Sequence, residues 1–324
     1  MTRTAVLVET NDQGVAPLTA QALTFARGIG EEVHALVVGP LAGSLPAQLG
    51  EHGVVAVHHV DDPRLDRFAA AAWAAGIAQA AGEAGFDAVV AAGTARGNEV
   101  MAHLASRLDV PMAAGVVSAV AGTAGEPWRL TRQIMGGAVL EDLTMTGAPA
   151  VMTVAPHAVQ AEPAGATTQP EVNRLEPDLS DADLLAQVLA VESSGGGGAD
   201  LAAARVVVGG GRGVGGAEGF GELIELAELL GGTLGVSRVV TSQGWRPHHE
   251  QVGQTGTKIA PDLYVACGIS GAIQHWAGCQ SAKTILAINT DADAPMVTRA
   301  DYAVVGDLHQ VVPAVIAEIR RRRA

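Results

Sequence analysis

The sequence predicts an α/β protein of two domains. The first is an N-terminal nucleotide-binding-like α/β domain over residues 1–195; the second is a C-terminal doubly wound parallel-sheet domain over residues 196–324. Three observations predict this. Short apolar runs alternate with helical patterns as far as Leu108, as parallel βαβ units require. A Pro-rich polar stretch, "PHAVQAEPAGATTQPEVNRLEPDLSD", and then "SSGGGG" at 193–198 interrupt that alternation as a linker does. The alternation then restarts and runs through the rest of the chain.

In the first domain "TAVLVET" (4–10) is a buried strand, and Leu18, Ala22, Phe25 and Ile29 recur at helical spacing behind it. "EVHALVVG" (32–39) and "VVAVHHV" (54–60) are the next two strands. The Ala-rich stretch Asp66–Ala84 is a helix by propensity. "FDAVVAAG" (86–93) is a strand, and a helix follows from Gly97 to Leu108. After Pro111 the runs "AAGVVSA", "WRLTRQI", "AVLEDLTM" and "PAVMTVA" are short strands that complete the sheet. "DLLAQVLAVES" fits a helix or a strand equally well by periodicity.

In the second domain "ARVVVGGG" (204–211) is a buried strand, and Leu223, Leu226, Ala227 and Leu230 mark a helix that Gly231 and Gly232 end. "TLGVSRVV" (233–240), "DLYVACG" (262–268), "KTILAIN" (283–289) and "DYAVVGD" (301–307) are the remaining strands. "SGAIQHWAG" (270–278) is a short helix and 308–323 a closing one.

Composition excludes several classes. Of 324 residues 48% are apolar and 17% charged, so the chain is not disordered. A net charge of −14 and an aromatic content of 3% oppose nucleic-acid binding. The basic run Arg320–Arg323 is read as a solvated helix end. No run of about 18 apolar residues exists to insert in a membrane, and "MTRTAVLVET" lacks a signal-peptide pattern. The only two cysteines, Cys267 and Cys279, match neither a disulfide framework nor a zinc pattern. Cytoplasmic residence and no metal site are the expectations. Cys267 is expected in strand packing, and Cys279 just past a helix end, where exposure is open.

In a doubly wound sheet ligands bind at the carboxyl ends of the strands. Those ends carry glycines, hydroxyls, amides and a histidine, which suits a large polar ligand with phosphates. "GGGRGVGG" contains a literal G-x-G-x-x-G at Gly211, Gly213 and Gly216. The next strand lacks the acid that would hold an NAD ribose, so an NAD site is disfavoured. A turn needed only for geometry and a turn that presents Arg212 to a ligand both remain open. "GISGAIQH" begins a helix directly after a strand and reads as an anion site, with His275 one turn in. His275 stands evenly between a structural and a functional role. In "GQTG" (253–256), Gln254 and Thr255 are turn residues or hydrogen-bonding partners of a heteroatom-rich ring.

Taken together, "GGGRG", "SR", "QVGQTG", "LYVACGISGAIQHWAG", "KTILAIN" and "DAPMVTRADYAVVGDLHQVVP" resemble the alpha subunit of electron transfer flavoprotein, the FixB family. "LVETNDQGVAPLTAQALTFARGIG", "GTARGNEVMAHLASRL" and "RQIMGGAVL" extend the resemblance, less sharply, over the first half. The resemblance implies FAD held mainly by residues 196–324 and a beta subunit contacted by residues 1–195. It also implies electron transfer from donor flavin dehydrogenases to an acceptor such as a quinone-reducing oxidoreductase. Such a protein is a carrier with no small-molecule substrate of its own and no catalytic residue. Carried over position by position, the resemblance puts Arg212, Ser237 and Arg238 at the FAD, Arg238 as a buried cation favouring a reduced anionic ring. Gln254 and Thr255 would hold the isoalloxazine edge, Thr255 near N5, with Val252 and Gly253 contributing backbone. Ser270, Gly271, Ala272, Ile273, Gln274 and His275 would line diphosphate and ring, His275 near the flavin C2 carbonyl, and Asn289, Asp307 and Leu308 the adenosine end.

The chain departs from the family pattern in three places. Thr257, followed by Lys258, stands where lysine often follows "GQTG". "TSQGWRPHHE", with Trp245, His248 and His249, replaces a stretch that is often acidic, and Met135 stands where an aromatic is common. Two other functions compete: a bifurcating relative that oxidises NADH at a second flavin, which Thr255 leans against, and a non-redox adenine-nucleotide-binding module.

Overall fold

The structure is a computed structural model that describes residues 1–122, 126–137, 139–190, 201–202 and 204–323. The chain divides into two compact units, Met1–Met135 with Val139–Glu192, and Gly136–Ala138 with Ser193–Ala324. The expected boundary between 195 and 196 and the "SSGGGG" stretch lie outside the described residues.

The first unit is built on a nine-stranded sheet. Its elements in order are β1 (Arg3–Leu7), the hairpin β2 (Thr10–Asn11) and β3 (Gly14–Val15), α1 (Pro17–Ile29), β4 (Glu32–Val38), α2 (Leu45–Glu51) and β5 (Val54–Val60). There follow α3 (Ala70–Ala84), β6 (Ala88–Ala92), α4 (Ala95–Leu108), β7 (Met112–Val120), β8 (Trp128–Ile134), β9 (Val139–Met145), β10 (Ala150–Val154) and β11 (Glu171–Leu175). The order in the sheet is β11-β5-β4-β1-β6-β10-β7-β8-β9. All pairs are parallel except β7–β8 and β8–β9. The central strands read as continuous apolar runs because both faces are covered. On β1 and just past it, Val6 and Val8 enter the core on one face, and Ala5 and Leu7 the core on the other.

Two local signals set helix ends here. Thr94 caps α4 by accepting from the Gly97 N–H at 2.8 Å. Gly85, at φ 65°, closes α3 in the left-handed conformation. The helix expected from Asp66 starts instead at Ala70, because Pro63–Leu65 form a 3-10 turn capped by Asp62. The ambiguous stretch from Asp183 is neither helix nor strand as far as Ala190. Asp181–Leu184 form a 3-10 turn, and Val188 then donates to the Phe68 carbonyl at 2.8 Å.

The second unit contains β12 (Val206–Gly210), α5 (Gly221–Leu229), β13 (Thr233–Val236), α6 (Arg238–Ser242), β14 (Leu263–Cys267) and α7 (Ile273–Cys279). It ends with β15 (Ile285–Asn289), α8 (Pro295–Arg299), β16 (Tyr302–Val305) and α9 (Leu308–Arg323). The five strands are all parallel, in the order β13-β12-β14-β15-β16. One strand expectation needs correction: "TLGVSRVV" is a strand only to Val236. Ser237 donates its N–H to the Gly210 carbonyl at 3.0 Å, and the chain turns there into α6.

Candidate functional site

From β12 the chain passes to β13 on one side and then returns to β14 on the other, so the switch point lies outside the carboxyl ends of β12 and β14. The two loop starts are tied together. Gly211 donates to the Cys267 carbonyl at 2.9 Å, and Gly213 to the Gly268 carbonyl at 3.1 Å. A Cβ on Gly213 would sit 2.7 Å from the Gly268 Cα, and one on Gly268, at φ +63°, 2.8 Å from the Gly213 Cα. This close approach is the reason for glycine at both positions.

A cavity of about 750 Å³ opens at this point. Of the expected residues, Arg212, Ser237, Arg238, Ser270, Gly271, Ala272, Gln274, His275 and Asn289 line it. Sequence reasoning missed Val239, Ser242 and Gln243, which arrive because α6 replaces the end of a strand, and also Asp291 and Ala294; Gly213, Gly268 and Ile269, which belong to the "GGGRGVGG" and "GISGAIQH" runs, line it as well. Asp291 had a readable signal, lying two residues past the end of β15 beside Asn289.

The cavity wall does not include Val252, Gly253, Gln254, Thr255, Ile273, Asp307 or Leu308. The structure places these as follows. The 252–259 loop is bound to α7: Gln254 donates to the Gln274 carbonyl at 2.7 Å and Ile259 to the Gly278 carbonyl at 2.8 Å. A Cβ on Gly278 would lie 2.4 Å from the Gly253 Cα, so the packing is tight. Thr255 is exposed, and its hydroxyl oxygen accepts from Gln251 Nε2 at 3.0 Å. Buried Gln251 in turn accepts from the Thr241 hydroxyl at 2.6 Å. Ile273 is half exposed, Leu308 is buried behind Gly268, and Asp307 accepts from the His309 N–H at 3.0 Å at the start of α9.

Three further expectations change. The helix expected from Ser270 begins at Ile273, after Gly271 has taken φ +79°. Cys279 is fully buried, because α7 runs through it and turns its thiol into the core that includes Tyr264. Arg238, expected as a buried cation, is exposed, since it opens α6 at the cavity mouth. Cys267 is strand packing, in the core on the other side of the sheet from Cys279. Burial pushes both thiols up to about 12.

The cavity suits an anion. Arg212 and Arg238 enter no ion pair among the described residues, and Asp291 is the one acid on the wall. His275 is 6% exposed, and burial pushes its pKa down to about 4 against a smaller opposite pull from the Val252 backbone. At neutral pH it is therefore an uncharged imidazole. Its Nε2 lies 2.8 Å from the Tyr264 hydroxyl, while its buried Nδ1 makes no hydrogen bond.

The switch point of the first unit, between β1 and β6, is chemically different. There the Glu9 carboxylate accepts from the Thr94 hydroxyl at 2.5 Å, at the N-terminus of α4. Burial raises the Glu9 pKa, and the Thr94 bond and the charge of Arg96 oppose it less strongly.

A five-stranded doubly wound sheet with a glycine-lined, cation-bearing cavity at its switch point defines an α/β dinucleotide-binding protein. Residues 4–180 match the family model described as electron transfer flavoprotein domain, and residues 200–280 match the electron transfer flavoprotein FAD-binding domain. The chain is 38% identical to the electron transfer flavoprotein subunit alpha of Mycobacterium tuberculosis (strain ATCC 25618 / H37Rv), over 100% of both chains. It is 35% identical to that of Syntrophomonas wolfei over 99% of this chain and 100% of the relative, and 34% identical to that of Bacillus subtilis over 98% and 97%. The chain belongs to the electron transfer flavoprotein alpha-subunit family. FAD is its cofactor, a beta subunit is the partner that membership implies, and the family's members are named as electron carriers. Among the described residues no helix is long and apolar enough to cross a membrane.

The residues present fit FAD. A buried, unpartnered imidazole nitrogen belongs to a residue on the cavity wall, and two unpaired guanidiniums share that wall.

Proposed function

We propose that this chain carries FAD in a domain spanning residues 196–324. With a beta subunit held by residues 1–195, it collects electrons in the cytoplasm from a donor flavin dehydrogenase. It passes them to an acceptor such as a quinone-reducing oxidoreductase and has no small-molecule substrate of its own. The observation that carries this reading is the switch-point cavity, whose wall brings together Arg212, Arg238 and His275 within the family-defined FAD-binding domain.

Bound FAD supplies the one- and two-electron chemistry. The chain supplies binding and electrostatics. Ser270, Gly271 and Ala272 offer small side chains where a diphosphate needs close backbone approach, and Arg212 offers the countercharge. Arg238 at the mouth favours negative charge on a reduced ring, and neutral His275 offers a hydrogen bond instead of a second charge. Because Gln251 donates to the Thr255 oxygen, the Thr255 hydroxyl proton is free to be donated to the ring edge. Asn289 joins two loops at the cavity, donating from Nδ2 to the Ile269 carbonyl at 3.0 Å and accepting from the Asp291 N–H at 3.2 Å.

The test is co-expression with the beta subunit, followed by a visible spectrum and a count of FAD per heterodimer. A yellow complex with one FAD is expected. Two FAD molecules would favour a bifurcating relative. A colourless complex that takes up AMP or ATP and no FAD would sink the carrier reading.

A further inference from the structure

We infer that Tyr264 positions His275: its hydroxyl donates to Nε2 and so holds the neutral imidazole in the tautomer that carries its proton on Nδ1, where that proton is offered to the bound flavin. Tyr264 is absent from the cavity wall and from the residues that the family resemblance singles out. The last step, the offer to the flavin, rests on the function proposed above; the tautomer itself does not.

The geometry decides between two arrangements. Tyr264 is fully buried on β14, its hydroxyl lies 2.8 Å from Nε2, and the two rings are stacked at 28° with centroids 6.1 Å apart. If Nε2 carried the proton and donated, the tyrosine hydroxyl proton would need a second acceptor. Among the described residues the hydroxyl's hydrogen bond is to His275, so that proton would be buried without a partner, with the full desolvation penalty. If the hydroxyl donates, both Oη–H and Nε2 are satisfied. Burial keeps the phenol protonated and the imidazole neutral, so each holds the protonation state that this arrangement requires.

The neighbouring strand is shaped around the hydroxyl. A Cβ on Gly209 would stand 2.3 Å from it, so glycine at that place on β12 leaves the room it occupies. With Nε2 accepting, the remaining proton sits on Nδ1, a buried atom that finds no hydrogen bond of normal geometry in the protein; the Val252 backbone pulls on the ring, but less than burial does. A flavin ring presents carbonyl oxygens that accept from such a donor. The pair therefore aims a neutral hydrogen bond at the ring, with its direction fixed by a residue that never touches the cofactor.

The experiment is imidazole nitrogen NMR on the heterodimer labelled with ¹⁵N-histidine, with the His275 signals identified by their loss in His275→Gln. Expected are a protonated Nδ1 and an unprotonated, hydrogen-bonded Nε2. Tyr264→Phe keeps the ring and removes the donor; it is expected to give a mixture of tautomers and a lower first reduction potential for bound FAD. A protonated Nε2 in the parent protein overturns the inference without any variant. So does a Tyr264→Phe protein whose tautomer and potential both match the parent's. The same spectrum of FAD-free heterodimer reads the tautomer whether or not flavin is taken up. Failure of the flavin reading and failure of this one are thereby distinguishable.

Discussion

Acid should destabilise this fold through His275 by an amount the structure allows to be worked out. Its folded pKa is about 4, below the unfolded value of about 6.5. Above about pH 6.5 both states are neutral, and His275 adds no pH dependence. Between about 6.5 and 4 the unfolded chain binds a proton that the folded chain refuses, so stability falls as pH falls. Below about 4 both are protonated and the loss is complete, about 3 kcal/mol at 1.36 kcal/mol per pH unit of difference. Near pH 5.5 the slope from this one residue is about 1 kcal/mol per pH unit. Burial also holds His34, His52 and His58 below their ordinary values, so they contribute in the same direction. The informative comparison is therefore between parent and His275→Gln. Urea unfolding of FAD-depleted heterodimer, repeated from pH 7.5 down to pH 4.5, should give a shallower slope for the variant by about 1 kcal/mol per pH unit. Equal slopes would refute the claim that His275 is buried and neutral.

Three other outcomes are expected. Gly278→Ala puts a Cβ 2.4 Å from the backbone of Gly253, so the 252–259 loop must shift; a stability loss of about 1–3 kcal/mol and faster FAD release are expected, read by thermal melting and flavin fluorescence. Native protein should not react with an aromatic disulfide reagent, and both thiols should react on unfolding; labelling of native Cys279 would contradict its burial. Asn289→Ala removes the bonds that join two cavity loops and should weaken FAD binding about fivefold by equilibrium titration, a loss of about 1 kcal/mol.

Much of the fold was legible because both sheets are buried on two faces, which writes their inner strands as unbroken apolar runs. β6, inside "FDAVVAAG", and β10, inside "PAVMTVA", are buried at every position. β11, "EVNRL", was illegible for the opposite reason. It is an exposed edge strand inside a polar segment, and its pairing with β5 determines it more than its own composition does. The turn into α6 was hidden because "SRVV" after "TLGV" keeps high β propensity, while the hydrogen bond from Ser237 to Gly210 that bends the chain is tertiary. At the site, the glycines and His275 were visible as types at strand ends. Tyr264 was not, since a tyrosine within an apolar strand reads as packing, and its hydroxyl bond spans 11 residues of sequence.

The two units also show that a shared topology does not give a shared site. Each has a switch point beside its first strand, where a nucleotide-binding crevice is expected. In the first unit the chain places its own carboxylate, Glu9, against Thr94 at the start of α4, so a side chain already occupies the position a phosphate would take. A phosphate there would have to displace the Glu9 carboxyl from its bond with the Thr94 hydroxyl. In the second unit the corresponding position has glycines that approach to within backbone contact, a cavity of about 750 Å³ and two guanidiniums without ion-pair partners among the described residues. The non-redox nucleotide module was a reasonable reading of the α/β pattern alone. The chemistry at the two switch points weighs against it, because in the first a side chain of the chain itself holds the helix start that in the second is left to a ligand.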